Sequence, residues 1–421
     1  MRTYHELFRT PEFTPLFLTS AGQVAAQTVS GLALSTLVYT TTSSPLLSAL
    51  AMFGPSLAQV IGATTLLSAA DRLPPRSTLT GLALLFGLCT AVQAIPGLPV
   101  WAVFVILLGQ GMIASLGGGV RYGLLNEILA RKGYLLGRSV LNMSTGVMQI
   151  CGFAAGGGLV AVLSPHGTLF TGAALYLAAA AVARFGLSRR PPRATGRPSA
   201  IETWRNNARL WSSKPRRYVY LALWVPNGLI VGCESLYVPY APRHAGLLFA
   251  CAALGMLAGD TLAGRFLPRR WRERLGTPML LLLAAPYLIF ALSPAPPLAV
   301  AAVALASAGY SASLLFQERL MSLTPDELSG HALGLHSSGM LTMQGVGAAF
   351  AGAVAQHTSP PVAMAVVAAA SVTVTLTLAP GLRQGHGPGE RDDLGLPART
   401  SQEEAAVAVT GNRADTAEQA F

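Results

Sequence analysis

GATTLLSAADRLPPR (residues 62–76) and GMLAGDTLAGRFLPR (residues 255–269) stand 193 positions apart, and laying one on the other without a gap decides the architecture. The shift superposes Gly62 on Gly255, Ala70 on Ala263, Arg72 on Arg265, Pro75 on Pro268 and Arg76 on Arg269. Further along, the same shift superposes Gly137 on Gly330, Ser144 on Ser337, Gly146 on Gly339, Gly152 on Gly345 and Ala155 on Ala348. Ala and Gly are abundant here, so single coincidences carry little weight. One offset serving two separated segments points to a chain built of two related halves.

Each half is a series of apolar runs. With 52% hydrophobic and only 11% charged residues, the chain lies far from the composition of soluble domains. About 20 apolar residues cross a ~30 Å hydrocarbon core as a helix, and such runs recur near 15–39, 46–69, 78–95, 100–122, 139–163 and 167–187, then near 218–240, 245–266, 276–293, 298–321, 332–356 and 361–380. The first run, from Phe13 to Tyr39, is long enough to span and reads as the first helix rather than a cleaved signal. Connectors such as Thr40 to Ser44, Pro96 to Pro99 and Ser293 to Pro297 carry Pro, Gly, Ser or Thr, which stop a helix and turn the chain back. The expectation is an all-α membrane protein of about twelve helices in two six-helix repeats: 1–188, a basic linker 189–217, 218–382, and a polar disordered tail 383–421.

The net charge of +11 raises nucleic acid as a partner, but the charges are dispersed over short loops rather than gathered on one face. With both termini in the cytoplasm, every Lys and Arg except Arg243 falls to the cytoplasmic side, as the positive-inside bias requires. This places the chain in the cytoplasmic membrane, multi-pass, with the bilayer as partner and no nucleic acid. Cys89, Cys151, Cys233 and Cys251 all fall inside spans, with no metal-ligand spacing and no disulfide framework, so no cofactor or metal is expected. Within the linker, Ile201, Trp204, Ala208 and Trp211 recur at helical spacing opposite Arg205 and Arg209; this is either an amphipathic helix on the inner membrane surface or a solvated linker helix.

An even number of helices per half gives the halves the same orientation about a pseudo-two-fold axis along the membrane normal. The turn after the second helix, Asp71-Arg72-Leu73-Pro74-Pro75-Arg76, and its counterpart from Asp260 through Arg265 to Pro268-Arg269-Arg270 resemble the acid-and-basic loop signature of the major facilitator superfamily. Gln110-Gly111 in the fourth helix and Gly152-Phe153-Ala154-Ala155-Gly156-Gly157 in the fifth are similar to motifs of its drug/proton antiporters. This chain has Leu67 and Pro74 at two usual Gly positions, Leu107 at a usual Arg and Phe153 at a usual Pro. The resemblance implies a monomeric carrier that works by alternating access. Asp71, Arg72 and Arg76, echoed by Asp260 and Arg265, would act as a conformational latch or, more simply, anchor the turns at the head groups.

Polar groups inside the bundle mark a substrate path, because amides and charges in lipid are costly unless they face the interior. Gln23 and Gln27 lie one turn apart on helix one, Gln59 on two, Gln110 on four, Asn142 and Gln149 on five, Asn227 on seven, Tyr310 on ten and Gln344 on eleven. Helix three carries only Gln93, near its outer end, and six, nine and twelve carry no internal amide or acid, which fits the peripheral place these four have in the family fold. Glu234 is the only acid well inside a span; it is either a proton-coupling group or the partner of Arg243 in a structural ion pair. His331 and His336 flank the start of helix eleven, as proton relays or interfacial residues.

A membrane-bound transferase would need clustered Asp, His or Cys chemistry at one interface, and none is visible; nor is a Walker loop for ATP-driven pumping. The expectation is therefore a secondary transporter rather than an enzyme, with protons as the coupling ion. A cavity of amides and aromatics almost free of fixed charge suits a neutral or hydrophobic drug-like solute moved outward. Uptake of a neutral nutrient by the same fold, or a membrane transferase, is the alternative.

Overall fold

The computed structural model describes residues 4–70, 73–191 and 200–384, and among these every regular element is helical. After a short turn Tyr4–Arg9 come α1 (Phe13–Thr42), α2 (Pro45–Ala70) and α3 (Pro75–Gln93). Val100–Gly186 is helical over 87 residues. At ~1.5 Å per residue a straight rod of that length would cross a ~30 Å core about four times over. It doubles back twice instead. Gly137 is packed against Leu125 and Leu129 across the first reversal, and Ser164 takes a left-handed φ of 67° at the second. The stretch is thus three helices: α4 (Val100–Leu129), α5 (136–164) and α6 (165–186).

The second half runs through α7 (Lys214–Ser235), extended by the turn Tyr237–Tyr240, then α8 (Ala245–Phe266) and α9 (Arg269–Ala284), which tightens into a 3-10 stretch Ala285–Leu292. It ends with α10 (Pro296–Ser322), α11 (Ser329–His357) and α12 (Pro360–Gln384). Nine of the described stretches are long and apolar enough to cross a membrane, and one of them, Leu136–Gly186, is long enough to do so twice. α1 and α11, richer in Ser, Thr and Gln, complete the twelve. Met1–Ala379 is one compact unit and Pro380–Phe421 another; the expected tail, beyond Gln384, lies outside the described residues.

The repeat is visible in the packing. Without a hydrophobic effect between helices in lipid, close approach of backbones at small residues supplies the contact energy. Gly62 of α2 lies so tightly on the carbonyl of Met112 in α4 that a Cβ would overlap it, and its repeat partner Gly255 of α8 lies the same way on Ala304 of α10. Turns on the side away from the amino terminus, here called the far side, reverse the chain in a few residues. Several do so through left-handed backbone at Ser43 (φ 53°), Gly97 (φ 82°), Ser164 and Ser293 (φ 47°). On the amino-terminal side Phe13, Leu16, Leu124, Leu125, Leu129 and Leu141 join in one buried cluster that ties α1, α4 and α5 together.

A polar clasp the sequence reading did not anticipate closes that side of the first half. Glu12 accepts hydrogen bonds from Ser188 Oγ (2.8 Å) and the Ser188 amide (3.3 Å), while Arg190 bridges Glu12 (3.1 Å) and Glu127 (3.2 Å). Partial burial opposes ionisation of Glu12, but the Ser188 hydrogen bonds and the Arg190 guanidinium outweigh it and hold the carboxyl below the usual range. In the linker, helix Ala200–Ser212 docks by its last turn: Leu210 is buried, and Trp211 stacks on Trp224 (5.6 Å) and Tyr220 (6.0 Å) of α7. The side chains of Ile201 and Trp204 lie outside the described residues.

Candidate functional site

The two halves meet on the far side. Tyr39 at the end of α1 reaches the Pro239 carbonyl (3.5 Å), and Ser44 donates to the side-chain carbonyl of Gln356 (2.8 Å). Gly352 and Gly345 of α11 lie against Leu46 and Leu57 of α2. Phe153 of α5 stacks on Phe249 of α8 with centroids 4.5 Å apart, and one turn on, Gly157 and Gly246 bring the same two backbones into contact.

Toward the amino-terminal side these helices part. Gly146, Gly264 and Gly334 have nothing within 4 Å of where a Cβ would sit, and Asn142 and Gln149 of α5 are exposed. At ~100° per residue, Arg138, Asn142, Gln149 and Phe153 fall within about 60° of one another on α5. Since Phe153 touches the second half, this face looks into the passage between the halves. Asp260 shares the face of Phe249 on α8, so it looks into the same passage from the other side. The passage is closed on the far side and open on the amino-terminal side.

A cavity of about 140 Å³ sits within the first half, lined from five helices. Gln27 of α1, Gln59 of α2, Gln93 of α3 and Gln110 of α4 face it, with Ser56, Thr90 and Tyr176 of α6. Gln93 and Gln110 hold their positions by donating to the carbonyls of Val103 and Phe86, each at 3.4 Å. α3 and α6 therefore contribute to a polar cavity here, unlike the peripheral role expected for them. Of the expected substrate residues this cavity gathers Gln27 and Gln110; Gln23 is half-buried one turn from Gln27. Gln59 and Gln93 are the amides that complete it.

In the second half the expected residues lie deeper. Asn227 is 3% exposed and its Oδ1 has no hydrogen-bond partner; Gln344 is half-buried. Glu234 is 8% exposed and accepts a hydrogen bond from Tyr310 of α10 (3.0 Å). Tyr310 is thereby a buried partner of the acid rather than a group facing the open passage. Tyr237 and Tyr287 are hydrogen-bonded to each other and lie within electrostatic reach of Glu234. Among the described residues Glu234 makes no ion pair; Arg243 is exposed in the turn beyond it. Tyr237 packs edge-on against Phe249 (4.8 Å), so the acid is one aromatic contact away from the stack that closes the far side.

Of the latch residues, Asp71 and Arg72 lie outside the described residues, and Arg76 is half-buried at the start of α3. Asp260 is half-buried and Arg265 exposed, and the two form no ion pair among the described residues. His331 lies 3.4 Å from Asn206 of the linker helix, while His336 is buried and takes the indole N–H of Trp224 on its carbonyl (3.1 Å).

The sequence profile of the Major Facilitator Superfamily matches residues 16–244. No curated protein is similar enough in sequence to match. Among solved structures, the chain is similar to a POT family transporter in complex with a thioalcohol-conjugated peptide, with a TM-score of 0.71 at 10% identity over 89% of this chain and 96% of that one. It is similar also to a bacterial homolog of the human lysosomal transporter Spinster, inward-facing and unoccupied (TM-score 0.68, 14% identity, 88% and 95% covered). A third likeness is to the nucleoside transporter NupG (TM-score 0.65, 13% identity, 88% and 99% covered).

Proposed function

The chain belongs to the Major Facilitator Superfamily, and from that premise we propose that it is a secondary transporter that exports a small amphipathic organic solute, driven by protons entering through Glu234. The observation that carries the coupling is the position of that acid. It is buried with Tyr310, Tyr237 and Tyr287 directly behind the Phe153–Phe249 stack, which must part when the far side opens. A carboxyl sealed from water favours the neutral form, and exposure to water favours the charged one. Opening and protonation are thereby linked: each biases the other by the same free energy.

The solute enters from the amino-terminal side, the cytoplasm under the positive-inside bias, along the α5 face of Asn142 and Gln149. Gln23, Gln27, Gln110, Asn227 and Gln344 supply hydrogen bonds along the way, with Gln59 and Gln93 added from the cavity. Alternating access then transfers it when α5 and α8 close toward each other at Asp260 and part at Phe249. Asp260, looking across at the α5 face that carries Arg138 and Asn142, serves as the second-half latch in the closed state.

The test is flux in proteoliposomes under an imposed pH gradient, over a panel of amphipathic compounds, comparing native protein with Glu234→Gln and following compound binding by thermal shift. Gradient-driven flux that is lost in Glu234→Gln while binding is kept supports the proposal. Equal driven flux in both proteins removes Glu234 from coupling.

A further inference from the structure

Two arginines converge on one tyrosine inside the first half. The Arg121 guanidinium of α4 lies 4.9 Å from the centroid of the Tyr122 ring, and the Arg138 guanidinium of α5 lies 5.3 Å from the same centroid. Tyr122 donates its hydroxyl hydrogen to Asn142 Oδ1 (3.1 Å), and Arg121 donates through Nη1 to Ser20 of α1 (2.8 Å). Arg121 Nε is shut off from solvent and has no acceptor.

Neither cation has an acid beside it among the described residues. Glu127, the only acid on α4, binds Arg190 (3.2 Å), and Asp260 looks in from α8 across the open passage. Arg138 stands in the first turn of α5, whereas Arg121 lies well inside α4. α4 continues to Leu129, eight residues and so about 12 Å beyond Arg121. Arg138 stands on the α5 face that looks into the passage, in line with Asn142 and Gln149. The hydroxyl of Ser20 and the ring of Tyr122 compensate a guanidinium only partly, a cation–π contact being worth roughly 0.5–1 kcal/mol at exposed sites. A cation held within membrane helices without a counter-charge marks a substrate or ion path. Two like charges near one ring repel, an anion bound beside both offsets that repulsion, and planar guanidinium groups match the paired oxygens of an oxyanion.

We propose that Arg121 and Arg138 form a binding site for one anionic group, a carboxylate or a sulfate- or phosphate-type oxyanion, carried by the transported solute. The inference rests on reading the passage as the transport path, and it narrows the solute from amphipathic compounds in general to amphipathic anions. Ser20 holds Arg121 and Asn142 holds the Tyr122 ring within reach of both cations, and the apolar body of the solute extends along α5 toward Phe153.

The experiment uses the full chain in phosphatidylcholine nanodiscs and follows thermal unfolding against benzoate, sulfate and the uncharged isostere benzamide. Benzoate and sulfate are expected to raise the midpoint saturably and benzamide not to. Arg121→Gln and Arg138→Gln are each expected to weaken the apparent affinity for benzoate about ten- to a hundredfold, the range of a lost charge-assisted hydrogen bond; Arg121→Lys is expected to retain part of it. Should Arg121→Gln not fold, Arg138→Gln and Arg121→Lys decide the matter alone. Equal effects of benzoate and benzamide, or native affinity in the glutamine variants, overturn the proposal. If phosphatidylglycerol in the discs abolishes the benzoate effect and Arg138→Gln sheds co-purified phosphatidylglycerol, the anion is a lipid headgroup and the solute assignment falls. Flux separates the two readings. Anion binding that needs both arginines in a protein that moves nothing upholds the site and refutes transport, whereas transport of neutral compounds untouched by Arg121→Gln does the reverse.

Discussion

Replacing Gly246 by alanine puts the far-side closure under direct load. A Cβ there would lie 2.5 Å from Gly157 Cα and 2.9 Å from the Phe153 carbonyl oxygen, and a Cβ on Gly157 would lie 2.8 Å from Gly246 Cα. All three are main-chain atoms that cannot rotate away, and non-bonded carbons rest at roughly 3.5–4.0 Å, so α5 and α8 must separate by about 1 Å. Overpacking of this kind costs about 1–3 kcal/mol. The cost falls only on the conformation in which the two helices touch, so the ratio of far-open to far-closed molecules rises by roughly 5- to 150-fold. The assay places cysteines at Ser44 and Gln356, whose side chains meet in the closed form (2.8 Å). The background replaces Cys89, Cys151, Cys233 and Cys251, and a short bifunctional thiol reagent reads the closure. Gly246→Ala should slow cross-linking, and Gly81→Ala, where a Cβ meets nothing within 4 Å, should not. Unchanged cross-linking in a folded Gly246→Ala protein would refute the argument that this contact holds the far side shut.

Other consequences are as direct. Tyr310→Phe removes the hydrogen bond that Tyr310 donates to Glu234 and should shift the pH dependence of driven flux while leaving the fold intact, read by flux at a series of pH values. Gln93→Leu together with Gln110→Leu should weaken binding of a hydrogen-bonding solute by about ten- to a hundredfold, at about 1 kcal/mol per bond, measured by thermal shift. For the clasp at Glu12, a folded-state pKa below the unfolded value means stability that is present above the ordinary carboxylate range and lost as pH falls through the folded value. Glu12→Gln should accordingly lower the unfolding midpoint at about pH 7 and make little difference at about pH 3.

Much of this was legible in the sequence, and the exceptions have physical reasons. The apolar runs and the repeat foretold the helices because lipid leaves a chain few choices, and Gly62 and Gly255 do pack alike. Glu234 stood out because a lone acid in an apolar run is rare. Tyr237 and Tyr287 did not, and Tyr310 stood out only as a polar residue on the path and not as the partner of the acid, since the three tyrosines come from different elements and share no spacing. Arg121 was read as part of the cytoplasmic boundary because the apolar run ends near residue 122, whereas the helix continues to Leu129. An amphipathic continuation of a span carries little hydropathy signal, and hydropathy alone cannot tell where lipid ends and a water-filled passage begins. Gln93 is the last residue of α3 and nonetheless faces the cavity, which its place at a helix end did not suggest. The clasp of Glu12 with Ser188 and Arg190 joins residues over 170 positions apart, a pairing no local pattern carries.

Alternating access is the central claim, and the most direct measurement is a pair of spin-label distances by electron paramagnetic resonance. One pair, Ser43 with His357, reports the far side; the other, Ser139 with Leu262, reports the amino-terminal side, and all four residues are exposed. Raising the pH, which favours the ionised, water-exposed Glu234, or adding a transported solute should lengthen the first distance while shortening the second. Distances that change in the same sense, or that stay fixed under every solute and pH, would contradict it.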